Sequence, residues 1–159
     1  MATYAEIYSG MRLIDTDVRT DKSSERAIIL IASVFSHSKE PIKIVGGQLN
    51  SKFYDDERIT KAFKKAYNNG AKIEIICGPE IDPNTKSITK LRDENILEVW
   101  QGKICPRVHF WIVDGRDVGL EDPHTIGFQK KTHTTILSDA RPQANALLKK
   151  FEEMKRNLL

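Results

Sequence analysis

The stretch 107–124 constrains the fold of this chain more than any other. Apolar side chains recur at every second position in its first half, at Val108, Phe110 and Ile112. This is the period of a β-strand with two different faces. Asp114-Gly115 then predicts a tight turn, because glycine accepts the positive φ that a hairpin requires. The chain returns to a polar cluster, Glu121-Asp122-Pro123-His124. The stretch therefore predicts a β-hairpin that ends in chemically active side chains.

Two hairpin registers fit this pattern, and they place different residues together. If Gly115-Arg116 form the loop, His109 lies opposite Asp122 and Arg107 lies opposite His124. Cross-strand partners of this kind have neighbouring side chains on one face of the sheet.

The other loop, Asp114-Gly115, places His109 opposite Leu120 and Arg107 opposite Asp122. We favour the first register because it gathers two histidines, an acid and an arginine at one end of one hairpin. A hairpin that serves only packing would rarely need such a cluster, so this end of the hairpin is the candidate site.

The remaining pattern predicts an α/β fold with a mixed β-sheet sandwiched by helices. The expected elements are a helix at 25–37, a strand at 42–45, a helix after Asp55-Asp56-Glu57, a strand at 72–77, a short helix at 87–93, strands at 96–100 and 132–137, and a long helix started by Ser138-Asp139 and Pro142. The first strand, helix and second strand form a βαβ unit, which predicts a parallel strand pair. Residues 1–23 are expected to form an irregular or partly helical arm, and 24–159 a single domain.

Composition places the chain among ordinary globular proteins. Its 159 residues are 40% hydrophobic and 30% charged, with a formal net charge of +3, which fits one domain with a sizeable core. The basic residues cluster at Lys61/Lys64/Lys65, Lys130/Lys131 and Lys149/Lys150/Lys155/Arg156. These clusters are either solvated faces or a nucleic-acid-binding surface. Cys77 and Cys105 have no metal-type spacing, which predicts buried free thiols.

The sequence predicts a cytoplasmic protein with no membrane contact. No signal peptide is evident, and no apolar run approaches the ~20 residues that a membrane span needs. A further candidate for ligand contact follows the first strand, in Gly46-Gly47-Gln48-Leu49-Asn50. Paired glycines allow a ligand to approach the backbone closely, so Gln48 and Asn50 are candidate substrate-binding residues.

The order of elements resembles one half of the phospholipase D superfamily over about residues 24–157. The similarity is to small members of that superfamily with a single motif, H-x-K-x4-D-x6-G-S-x-N. Anchoring this motif on Asp114 keeps every spacing and gives R-x-H-x4-D-x6-E-D-x-H. Arg107 then stands at the family's histidine and His109 at its lysine. Glu121 and Asp122 stand at the glycine–serine pair, and His124 at the asparagine.

Anchoring on His109 instead restores the family's nucleophilic histidine. That alignment places Trp111 at the lysine and Arg116 at the aspartate. Both anchorings are retained as alternatives.

The resemblance implies a phosphodiesterase or nuclease that works as a homodimer, because the family's site needs two motifs. It implies His109 or His124 as nucleophile or general acid, with Glu121 or Asp122 orienting the imidazole. Asp114 is carried over as a catalytic residue, whereas Arg107 and Asp122 would bind the phosphodiester, which could be nucleic acid held by the basic faces.

Three other interpretations stay open. No cofactor is expected, although the acids and histidines of the hairpin could also hold a divalent metal such as Zn or Mn. The domain could have lost catalysis and bind nucleic acid, with Lys61, Lys64, Lys149 and Lys150 forming one continuous basic face. It could otherwise be a structural or regulatory domain, which would show an apolar patch for a partner protein.

Overall fold

We describe the fold from a computed structural model, which covers residues 18–19, 25–121 and 133–158. Its elements are β1 (Val18–Arg19), α1 (Glu25–Ser36), β2 (Ile42–Val45), α2 (Ser51–Tyr54), α3 (Glu57–Asn68), β3 (Ile73–Cys77), α4 (Ser87–Asp93), β4 (Glu98–Gln101), β5 (Phe110–Val113), β6 (Asp117–Glu121), β7 (His133–Leu137) and α5 (Arg141–Leu158). Within this part of the chain, the strands form one sheet in the order β1-β7-β6-β5-β2-β3-β4. The predicted α/β class and mixed sheet are confirmed.

The predicted βαβ unit is present, since β2 and β3 pair in parallel and α3 connects them. The start of α3 follows from its capping residue, because the Asp56 carboxylate accepts a hydrogen bond from the Arg58 backbone N–H at 2.9 Å. An apolar stripe at helical spacing buries the inner side of α3, at Ile59, Ala62, Phe63 and Ala66. The helix ends before Gly70, whose φ of +99° suits a residue without a Cβ.

The sheet separates two hydrophobic layers, because strand side chains alternate between its faces. On one face α1 and α3 cover residues such as Ile44, Ile75 and Trp111. On the other, Phe151 and its neighbours on α5 pack against residues such as Ile112. The prediction of one continuous basic face is therefore wrong. Its four lysines are divided between α3 and α5, which lie on opposite sides of the sheet.

The hairpin has neither of the two registers expected from its sequence. Val113 pairs with Asp117 and Phe110 with Leu120, so three residues form the loop rather than two. Asp114 and Gly115 have φ of 56° and 61°, and the Arg116 N–H closes the turn on the Val113 carbonyl at 3.1 Å. This extra loop residue moves the pairing by one position, and His109 comes to lie opposite Glu121 rather than Asp122.

Smaller differences concern the ends of the sheet. Two residues of the expected N-terminal arm, Val18 and Arg19, pair antiparallel with β7 and add an edge strand. The opposite edge strand, β4, begins at Glu98 rather than at residue 96. None of the helices in the described ranges has the length and apolar character needed to cross a membrane.

Candidate active site

The candidate site lies at one end of the sheet, along the edge that is formed by the ends of its strands. The strands β2, β3 and β4 are parallel, and β5 is antiparallel to β2. The carboxyl ends of β2, β3, β4 and β6 therefore share this edge with the amino end of β5. His109 directly precedes β5, and Glu121 is the last residue of β6. In open α/β sheets, ligands bind outside the carboxyl ends of the strands.

His109 and Glu121 form a buried pair. The Nδ1 atom of His109 lies 2.8 Å from Oε2 of Glu121, and their side chains are 7% and 9% exposed. A backbone hydrogen bond from Glu121 N–H to the His109 carbonyl, at 3.1 Å, aligns the two strand ends. A carboxylate on Nδ1 fixes the orientation of an imidazole and directs its Nε2 atom.

The Nε2 atom of His109 lies 2.9 Å from the Pro106 carbonyl oxygen. A carbonyl can only accept a hydrogen bond, so Nε2 must carry a proton. The 2.8 Å contact between Nδ1 and Glu121 needs a second proton, held by the ring or by the carboxyl group. The pair thus holds two protons, and His109 is set up in this geometry to donate from Nε2.

The Pro106 carbonyl belongs to Gly102–Arg107, here called the crossing segment, which connects β4 to β5 over the ends of β3 and β2. It begins with a 2.9 Å hydrogen bond from Gly102 N–H to the Cys77 carbonyl. A Cβ on Gly78 would come within 3.1 Å of Cys105 Cα, and one on Gly47 within 3.1 Å of the His109 ring. The glycine pair expected to admit a ligand thus includes Gly47, against which the chain's own His109 and Cys105 pack.

A small cavity of about 30 Å³ borders the pair. His109, Glu121, Tyr54 and Thr134 line it together with apolar residues of α1, among them Ala27 and Ile31. Burial raises the pKa of Tyr54 well above its ordinary value, so its phenol stays protonated and can donate a hydrogen bond. A cavity of this size has room for a water molecule or two and not for a phosphodiester.

Asp114 does not join His109, because it sits in the hairpin loop at the opposite edge of the sheet. Its Oδ1 atom accepts hydrogen bonds from the Ser38 hydroxyl at 2.6 Å and from the Glu40 N–H at 2.9 Å. The carboxylate thereby holds the chain between α1 and β2 against the hairpin.

The two candidates after β2 are exposed and stand outside the pair. Asn50 caps α2, with its side-chain oxygen accepting from the Lys52 N–H at 2.8 Å. Gln48 accepts a backbone hydrogen bond from the Asp82 N–H at 2.7 Å.

Arg107 is exposed on the crossing segment, two residues from His109. Asp122 and His124 lie outside the described residues, as do Lys130 and Lys131.

Among the residues that are described, no three histidine, cysteine or acidic side chains group in a way that would hold a metal ion.

Both cysteines are free, but only one is fully buried. Burial raises the pKa of the Cys77 thiol to about 11, whereas Cys105 is half-buried on the crossing segment.

Sequence reasoning did not identify Pro106 or Tyr54 as site residues. Pro106 contributes a backbone carbonyl, which every residue has, so no residue type could have signalled it. Tyr54 follows the glycine pair by a few residues on α2 and could have been suspected from its position after a strand.

No protein-family model and no curated protein sequence matches this chain. Solved structures do match it. A phospholipase D family member, Nuc from Salmonella typhimurium, is 16% identical with a TM-score of 0.64, over 90% of this chain and 93% of that one. NucT from Helicobacter pylori is 18% identical with a TM-score of 0.65, over 87% of this chain and 93% of that one.

A third similar structure is TrmBL2, an archaeal chromatin protein whose structure shows a novel mode of DNA binding. It is 16% identical with a TM-score of 0.63, and the match covers 89% of this chain and 52% of TrmBL2. At these identities the likeness concerns the fold, which this chain shares with all three proteins.

Proposed function

We propose that this chain, which has the phospholipase D-like fold, is a phosphodiesterase that acts on nucleic acid as a homodimer. The observation that carries the proposal is the buried pair of His109 and Glu121, at 2.8 Å, on the sheet edge where strand ends converge. Burying a histidine and a carboxylate together costs free energy unless the two are paired. Such pairs are typical of imidazoles that transfer protons or attack substrates.

The pair suits phosphodiester chemistry in which one imidazole attacks phosphorus and another protonates the leaving oxygen. Two subunits would supply the two imidazoles. While Nε2 of His109 is hydrogen-bonded to the Pro106 carbonyl it carries a proton, which fits the acid role. For the nucleophilic role, Nε2 must have lost its proton and its hydrogen bond to the Pro106 carbonyl. Glu121 would orient the ring in both roles, and the exposed Arg107 would bind phosphate oxygens.

Substrate binding requires the crossing segment to move, because the Pro106 carbonyl occupies Nε2 and the cavity beside it is about 30 Å³. Nucleic acid is favoured as substrate by the exposed cations Lys103 and Arg107 on the crossing segment and by the similarity in fold to TrmBL2, a chromatin protein with a novel mode of DNA binding.

A second candidate function is nucleic-acid binding without hydrolysis. The hydrogen bond between His109 Nε2 and the Pro106 carbonyl, at 2.9 Å, favours it, since a nitrogen held in this way cannot attack phosphorus. The lysines of α3 and α5 would then bind nucleic acid from opposite faces of the sheet, and not from one surface.

Two variants test the first function. Turnover of bis(p-nitrophenyl) phosphate and of a labelled oligonucleotide is measured for the wild type, His109→Ala and Glu121→Gln. We expect His109→Ala to lower kcat at least about 10³-fold, and Glu121→Gln about 10- to 100-fold because the ring loses its orienting carboxylate.

The matched control is His37→Ala, which removes a histidine at the end of α1 whose Nδ1 lies 2.7 Å from the Ser33 carbonyl. It should leave kcat unchanged. Wild-type turnover in His109→Ala would refute the assignment. Absence of turnover from the wild type, combined with tight oligonucleotide binding, would favour the second function.

A further inference from the structure

The crossing segment carries the most exposed large apolar side chain among the described residues. Ile104 is 81% exposed, compared with 54% for Ile29 on α1 and 46% for Tyr67 on α3. A single exposed apolar residue is common on protein surfaces. Ile104 differs from such residues because it lies beside the candidate active site, on a segment that several contacts hold in place.

The chain is anchored on both sides of Ile104. Before it, Gly102 N–H donates to the Cys77 carbonyl at 2.9 Å. After it, Cys105 packs so closely on Gly78 that an added Cβ there would meet its Cα at 3.1 Å. Pro106 is then tied to His109 at 2.9 Å. These contacts order the backbone around Ile104, so a ligand that meets Ile104 would not have to order a loose loop. Only the contact between Pro106 and His109 would then have to break for a phosphodiester to reach Nε2.

Positive charge flanks the exposed isoleucine. Lys103 and Arg107 are both exposed, and no acidic residue occurs between Gly102 and His109. The segment therefore presents one apolar side chain between two cations. A protein partner would require a broader apolar patch than one isoleucine. Nucleic acid matches this arrangement, because its bases have apolar faces and are flanked by phosphates.

We propose that the crossing segment is a nucleic-acid-binding element in which Ile104 packs against a base and partly unstacks it. Lys103 and Arg107 bind the flanking phosphates. Apolar side chains placed between base steps have this effect in many DNA-binding proteins. The proposal rests on the proposed function, since it names the contact that would bring a phosphodiester to His109.

The test measures DNA binding by fluorescence anisotropy, with an oligonucleotide duplex that contains 2-aminopurine, a base whose emission rises when it is unstacked. For the wild type we expect binding with a rise in emission. Ile104→Ser should raise Kd about 10-fold and abolish the rise. Lys103→Gln should raise Kd and lower the slope of log K against log salt concentration by about one.

Matched controls use exposed residues outside the crossing segment. Ile29→Ser replaces an exposed isoleucine on α1, and Lys39→Gln replaces an exposed lysine between α1 and β2. Both should bind like the wild type. The proposal is overturned if Ile104→Ser binds and unstacks the duplex as the wild type does, or if Ile29→Ser weakens binding equally.

Hydrolysis of bis(p-nitrophenyl) phosphate separates this proposal from the proposed function. Ile104→Ser should hydrolyse this small substrate at the wild-type rate. A wild type that hydrolyses it but binds no duplex overturns the role of Ile104 and leaves the phosphodiesterase standing. A wild type that binds the duplex through Ile104 but hydrolyses no phosphodiester refutes the phosphodiesterase and leaves the role of Ile104 standing. Loss of hydrolysis in Ile104→Ser would also overturn the proposal, because the side chain would then act on the site itself.

Discussion

Asp114 shows how one residue type can fit two roles until its partners are known. The spacing of the motif made it a catalytic candidate, whereas its carboxylate accepts hydrogen bonds from Ser38 and Glu40. It also has a φ of 56°, a region that asparagine and aspartate tolerate better than most residues. We infer that Asp114 shapes the hairpin loop and ties it to the start of β2.

Substitutions of Asp114 should affect stability rather than turnover. Asp114→Ala removes an acceptor from two donors and strains the backbone, so we expect the free energy of unfolding to fall by about 2–3 kcal/mol. Asp114→Asn keeps an acceptor and the tolerance for positive φ, and should lose less than about 1 kcal/mol. Urea unfolding measures both values.

Asp114→Gly separates the two effects, because glycine relieves the strain without restoring the acceptor. A fall in kcat of about 10²-fold or more in the folded Asp114→Asn variant would instead show that the carboxylate takes part in the chemistry.

At the scale of elements, a buried ionic cluster joins α5 to the sheet. Glu74 on β3 is 3% exposed and contacts Lys43 of β2 at 2.9 Å and Lys155 of α5 at 2.5 Å. Burial alone would raise the pKa of Glu74, but the ammonium groups of Lys155 and Lys43 outweigh it and lower that pKa from 4.5 to about 2. Both lysines also lie over aromatic rings, Lys43 over Phe151 and Lys155 over Trp100.

The depressed pKa gives this cluster a defined pH dependence. Its stabilisation is complete above about pH 4.5 and is lost as the pH falls towards 2, where Glu74 takes up a proton in the folded state. We expect Glu74→Gln to be less stable than the wild type near neutral pH by about 2–3 kcal/mol. This difference should shrink towards zero near pH 2.

Urea unfolding of both proteins across this pH range gives the measurement. The control is Glu98→Gln on β4, whose carboxylate is 51% exposed and lies 3.8 Å from Lys72. It should lose less than about 1 kcal/mol. An unchanged difference between the wild type and Glu74→Gln from pH 7 to pH 2 would contradict the assigned cause.

At the scale of the whole molecule, the described residues contain one His109–Glu121 pair at one edge of one sheet. Chemistry with two imidazoles would therefore need a second histidine, from His124 or from another subunit. We predict a homodimer with the two sheet edges facing each other. Sedimentation equilibrium should give twice the mass of the chain, and a mass that stays that of one chain at all concentrations would rule the dimer out.

Mixing the wild type with an inactive variant tests whether the subunits share a site. After dissociation and reassociation with an equal amount of His109→Ala, about half of the wild-type chains sit in mixed dimers that contain a single His109. If the site needs the imidazoles of both subunits, these mixed dimers are inactive and turnover per wild-type chain should fall to about half. Unchanged turnover per wild-type chain would place each complete site within one subunit.

Much of the fold followed from local patterns. The βαβ unit came from an apolar strand, a helical stripe with its N-terminal acids, and the Asn69-Gly70 stop, all of which are properties of neighbouring residues. The hairpin came from alternation and from Asp114-Gly115. These features determine which segments are strands and helices, because side-chain periodicity and capping act over a few residues.

Tertiary structure decided what those segments bring together. The register of the hairpin depended on whether its loop has two residues or three, and the carbonyl of the third, Arg116, accepts a hydrogen bond from the Ala140 N–H, far away in sequence, at 2.7 Å. That extra loop residue placed Glu121, rather than Asp122, opposite His109. The Pro106 carbonyl reached Nε2 only because the crossing segment passes over Gly78 and Gly47. Such contacts depend on the path of the backbone between strands that are not neighbours in sequence, and no local pattern encodes that path.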